Sequence, residues 1–140
     1  MKFIRYGLIA VAVGQASTGL WALVAPHSFY GDFPAGRGGW VSATGPYNEH
    51  MTVDYGALSM ALVAVLIAAA IVLERRLVLA AAGAYLVWSV PHFIYHVLNL
   101  GPYDTADAIG NVVSLLFTVI APLVVIGGIL SADRRAAPPS

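Results

Sequence analysis

Four long apolar stretches divide the sequence, at about residues 3–25, 51–73, 77–98 and 106–130. Each is close to the roughly 20 residues that a helix needs to cross the hydrocarbon core of a bilayer. The pattern therefore predicts an all-α fold, an integral membrane four-helix bundle. A single domain is expected over residues 1–135, with a disordered tail at 136–140.

The connections between these stretches predict how the helices are arranged. The links at 74–76 and 99–107 are short, and short links make consecutive helices antiparallel neighbours. The expected topology is thus up-down-up-down. The one long connection, at 26–48, is rich in glycine and proline, which predicts an irregular loop.

Composition supports a membrane location. The chain has 140 residues, 59% of them hydrophobic and 10% charged, whereas soluble domains average about 25% charged residues. A chain this short cannot hide so much apolar surface in a water-soluble core, so lipid must cover it. The formal net charge of +0 gives no reason to expect a nucleic-acid partner. The absence of cysteine excludes disulfides and thiolate metal ligands.

The basic residues predict the orientation. Six of the seven Lys and Arg residues lie at or near the start of the first span, between the second and third spans, or after the fourth, and only Arg37 lies on the other side. By the positive-inside rule both termini are cytoplasmic and the 26–48 loop is outside. The first apolar run continues to Ala25, which favours a retained span over a cleaved signal peptide.

Aromatic side chains gather toward the outer side of this topology, many of them in the 26–48 loop. Two interpretations are open. They form the belt that Tyr and Trp often make at a membrane interface, or they pack over the outer mouth of the bundle as a lid.

Polar residues are also concentrated at the predicted outer ends of the spans. They occur as pairs four residues apart, a spacing that places both members on one face of a helix. The pairs are His50 and Asp54, His92 and His96, and Asp107 and Asn111. Ionisable groups inside a span are costly and suggest function.

Imidazole and carboxylate groups from neighbouring helices are ligands that zinc and iron accept. The pattern predicts one divalent metal site, zinc or iron, with ligands from His50, Asp54, His92, His96 and Asp107. Glu49 beside it is expected to act as a catalytic base or to orient a ligand. The alternative is a structural network of hydrogen bonds, with Asn48 and Asp104 serving only as helix caps.

The sequence also resembles a known group. The residues that carry the resemblance are Pro26, Phe29 and Tyr30, the run from Pro46 to His50, and the run from Asp54 to Ala57. In these it resembles small membrane proteins of actinobacterial-type bacteria and, more loosely, the DoxX-type four-helix membrane proteins. The resemblance implies a four-helix membrane fold and a bacterial plasma membrane. It implies no activity.

Three functions follow from these features. The first is metal binding, extending to a small metalloenzyme that acts on a lipophilic substrate. The second is a redox subunit in which histidines bind haem and exchange electrons with quinone. The third is a non-catalytic accessory or assembly protein. Membrane lipid is an expected partner in all three, together with a homo-oligomer or a larger membrane complex.

Overall fold

The computed structural model describes residues 1–136, so the predicted disordered tail lies, apart from Ala136, outside the described residues. Within this range the chain is helical and has no strand, which confirms the all-α prediction. Four helices are long and apolar enough to cross a membrane: α1 (Lys2–Val24), α3 (Glu49–Val72), α4 (Arg75–Leu98) and α5 (Thr105–Ala136). The protein is a multi-pass membrane protein.

The 26–48 connection is more ordered than the sequence predicts. It begins with a short helix, α2 (Pro26–Asp32), and contains one 3₁₀ turn at Ser42–Thr44. Pro26 occupies the first turn of α2, where a proline's fixed φ suits the helix and its missing N–H costs nothing. Burial of Phe29 then holds α2 against the bundle.

Two helix starts follow the expected capping. The side chain of Asn48 accepts a hydrogen bond from the Met51 N–H at 3.1 Å at the start of α3. At the start of α5, the Asp107 N–H donates to Asp104 at 2.8 Å. Each cap satisfies one backbone donor that the first turn of a helix leaves unpaired.

The four spanning helices form a closed ring in the order α1, α3, α4, α5, with α1 and α3 in the most extensive contact. Neighbours in this ring are antiparallel, as the short links predict. The hydrophobic core lies mainly at the end of the bundle that carries the chain termini. Its members there include Ile4, Leu8, Leu66, Val78, Val125 and Ile129.

Candidate functional site

The half of the bundle away from the termini holds a cavity of about 840 Å³. Small-molecule sites typically measure about 300–1,000 Å³. All five α-helices contribute to its wall, and so does the segment 33–48, which connects α2 to α3. Four large apolar residues on its wall are more than half exposed, so the cavity opens at the surface of the bundle: Met51 at 63%, Tyr95 at 51%, Val113 at 61% and Phe117 at 52%.

Residues 33–48, here called the cap segment, cover the end of this cavity. The Tyr103 hydroxyl donates to the Trp40 carbonyl at 2.8 Å, and the Trp40 ring packs against α5 at Gly110. Arg37 forms an ion pair with Asp107 at 2.9 Å. Burial, and secondly the nearby Tyr95, raises the pKa of Tyr103 above its ordinary value of 10.0, so its hydroxyl remains a donor. Trp40 thus packs over this end of the bundle, as the lid interpretation of the loop aromatics expects.

Aromatic rings form a continuous wall from the cap segment into the bundle. Phe33 lies 5.1 Å from Phe29, which stacks on Tyr55 at 5.6 Å. Tyr55 is followed by Trp88 at 6.4 Å, which stacks on His92 at 5.0 Å. These centroid distances lie within the range of favourable aromatic pairs, about 4.5–7 Å. The wall is therefore closely packed and mainly aromatic.

A buried polar network lies at the deep end of the cavity. Gln15 of α1 donates to the Ser59 hydroxyl of α3 at 2.8 Å and accepts from the Tyr85 hydroxyl of α4 at 3.0 Å. All three residues are at most 3% exposed. Gln15 lies near the middle of α1, so the network joins three helices near the centre of the bundle. We call Gln15, Ser59 and Tyr85 the floor network.

Three further cavity residues carry a buried polar atom that has no hydrogen-bond partner within the described part of the chain. The atoms are Trp40 Nε1, His96 Nδ1 and Asn111 Oδ1. Buried polar groups in native proteins are nearly always hydrogen-bonded, so such a group needs an explanation. All three residues belong to the wall of this one cavity.

The structure places the pair His92 and His96 and the pair His50 and Asp54 in different surroundings. His92 and His96 line the cavity, with ring centroids 4.7 Å apart. His50 lies 3.4 Å from Asp54, but their side chains are 82% and 52% exposed and do not line the cavity. The spacing of four residues correctly places each pair on one helix face, but it does not say which face turns inward.

The described residues do not show the predicted convergence of ligands. Among the described residues, no three His, Asp or Glu side chains come close enough together to hold a metal ion. Asp107 is held by Arg37 instead. Glu49 is exposed in the first turn of α3, where a carboxylate favours the helix dipole. A haem site would need histidines that face each other across the bundle, whereas the two cavity histidines share α4.

The floor network lies outside the residues that the sequence patterns indicate. The sequence nevertheless contains one indication of this network, because Gln15 is the one glutamine of the chain and lies inside an apolar span. A polar side chain there needs an interhelical partner. Tyr85 and Ser59 give no comparable signal, since tyrosine and serine are ordinary residues in spans.

The fold and the cavity define a class: a multi-pass helical membrane protein with a covered, aromatic-walled cavity in one half of its bundle. Comparison of the chain with protein-family models, with curated proteins and with solved structures found no match.

Proposed function

We propose that this protein binds a lipophilic small molecule in the cavity beneath the cap segment. The observation that carries the proposal is the cavity itself, about 840 Å³ in volume, with an aromatic wall and a polar floor. Such a combination of mostly apolar lining with a few placed polar groups is typical of ligand sites. A molecule with an apolar body and a small polar group matches both parts.

The route of entry supports a ligand drawn from the membrane. The exposed wall residues Met51 and Phe117 lie on spanning helices, so the cavity mouth borders the lipid-facing surface. The cap segment closes the end of the bundle that would otherwise meet water. A lipophilic molecule can therefore enter from the bilayer without crossing the aqueous phase.

We further propose that the protein lies in a bacterial plasma membrane with its cavity in the outer-leaflet half. The basis is the distribution of Lys and Arg. The chain contains no cysteine, so single cysteines can report the orientation. In intact cells, an impermeant maleimide is expected to label Ala106→Cys and not Ser140→Cys, which should react only after permeabilisation. Labelling of Ser140→Cys and not of Ala106→Cys without permeabilisation would reverse the assignment of sides.

Binding is tested by tryptophan quenching in detergent micelles. Trp88 lines the cavity and Trp21 does not. Two single-tryptophan proteins, retaining either Trp88 or Trp21, are titrated with a bromine-labelled long-chain alkane. Saturable quenching of Trp88, reversed by the unlabelled alkane, is the expected result. Trp21 should show only the weak, non-saturating quenching that the probe in the micelle causes.

A cavity-filling variant provides the matched test. Gly14 lines the cavity, and a Cβ at this position meets no atom within 4 Å, so Gly14→Leu can occupy cavity space without a steric conflict. Displacing about two buried methylenes of ligand, at about 0.8 kcal/mol each, corresponds to roughly tenfold weaker binding. Gly127→Leu is the control, because Gly127 is equally open but lies outside the cavity. Equal affinity in the two variants would refute the cavity as the binding site.

No geometric observation favours the other functions over this one. Zinc, iron or haem binding, catalysis with Glu49 as a base, electron exchange with quinone, and assembly into an oligomer or a larger complex stay predictions from the sequence. A lipophilic substrate remains compatible with the proposed site, since binding would precede any reaction.

A further inference from the structure

The charged side chains that the structure describes lie outside the cavity. Within the described part of the chain, no Asp, Glu, Lys or Arg side chain lines it. The nearest charged groups of the cap segment and α5, Arg37 and Asp107, neutralise each other in an ion pair. A charged ligand group would therefore lose its hydration without meeting an opposite charge. Burial of an unpaired charge is far more costly than burial of a neutral polar group.

The unpaired polar atoms indicate the chemistry of the neutral group. Trp40 Nε1 is a donor and requires an acceptor. The Asn111 amide offers both an acceptor and donors, and its Oδ1 has no partner. Trp40 packs against Gly110, the neighbour of Asn111 in sequence, so these two groups lie in the same part of the cavity wall. A hydroxyl both donates and accepts, whereas a carboxylate or phosphate can only accept.

We infer that the cavity selects uncharged lipids whose polar group is a hydroxyl, such as a diacylglycerol or a long-chain alcohol, over anionic lipids of the same chain length. The inference rests on the proposed function and specifies its ligand class. The unpaired atoms are themselves shielded from the cavity space. The ligand hydroxyl therefore meets them after a rotation of the Trp40 or Asn111 side chain.

Three bromine-labelled probes of equal chain length test this inference: an alkane, the primary alcohol and the carboxylate. They are titrated against the protein that retains both Trp40 and Trp88 of the cavity wall, at pH 8, where histidines of ordinary pKa, about 6.5, are neutral. The alcohol is expected to bind at least tenfold more tightly than the carboxylate and more tightly than the alkane. Equal binding of alcohol and carboxylate, or a preference for the carboxylate, would overturn the inference. Failure of all three probes to quench would overturn the proposed function as well.

Two variants test whether Asn111 and Trp40 cause the preference for the alcohol. Asn111→Leu should bring the affinity for the alcohol close to that for the alkane. Because Asn111 is buried, this variant is paired with Trp40→Phe, which keeps an aromatic ring on the cap segment and removes only the indole N–H. Gly127→Leu serves as the control outside the cavity. An alcohol preference that survives both wall variants would contradict the assignment of these groups.

Discussion

Replacing Gly56 with alanine is expected to destabilise the protein by about 2–3 kcal/mol, the upper part of the range for overpacked cores. A Cβ at this position would lie 2.6 Å from the backbone nitrogen of Leu23 and 2.8 Å from the carbonyl oxygen of Gly19. Both contacts are with the backbone of α1, which cannot move aside by a rotamer change. The helices α1 and α3 would have to separate along their most extensive contact.

The measurement is equilibrium unfolding in mixed micelles by titration with a denaturing detergent. Gly127→Ala is the control, because its added methyl meets no atom within 4 Å. Since glycine is less favourable than alanine in a helix by about 0.8–1.0 kcal/mol, this control should be neutral or slightly more stable. The two variants are thus expected to change stability in different directions, which separates the effect of helix propensity from the effect of packing. A Gly56→Ala protein as stable as the Gly127→Ala protein would show that α1 and α3 do not require this close approach.

Replacing Gln15 with leucine is expected to destabilise the protein by about 2 kcal/mol. The change preserves most of the side-chain volume but leaves the Tyr85 hydroxyl without its acceptor and Ser59 without the amide donor. An orphaned buried polar group costs about 1–3 kcal/mol, while single interhelical hydrogen bonds in membrane proteins average about 0.6 kcal/mol. Loss of two bonds at an almost fully buried site places the expected effect between these limits.

A double-mutant cycle identifies the cause of this loss. Tyr85→Phe removes the hydroxyl that Gln15→Leu would strand, so the double variant should lose less stability than the sum of the two single variants. Ser17→Ala is the control on the same helix, because the Ser17 hydroxyl is exposed and donates to the Gly14 carbonyl of its own helix. The same detergent titration applies. Simple additivity of Gln15→Leu and Tyr85→Phe would indicate that the floor network does not act as a unit.

Local patterns account for much of the architecture. Long apolar runs must become helices in a bilayer, because every backbone polar group there needs an internal partner. The positions of the spans and the caps at Asn48 and Asp104 follow from this requirement and from short-range hydrogen bonding. The helix α2 does not follow from the sequence pattern, because the many glycines and prolines of the 26–48 connection predict an irregular loop. The helix forms around the buried Phe29.

The candidate site depended on rotation of the helices, which spacing alone does not report. His50 and His92 occur in equally suggestive pairs, yet His92 lines the cavity and His50 is exposed. In a lipid-exposed helix apolar residues cover every face, so hydrophobicity does not mark the inward side as it does in a soluble helix. Small residues mark it better here, because Gly19 and Gly56 lie where two backbones approach closely.

By itself the sequence determined that this is a four-span helical membrane protein, because the length and apolarity of each run are local properties that the bilayer imposes. Only the tertiary structure decided that a cavity lies beneath the cap segment and that Gln15, Ser59 and Tyr85 meet at its floor. These features depend on how three or more helices rotate and pack against each other. That arrangement is the result of many contacts between distant residues, and no single segment of the chain encodes it.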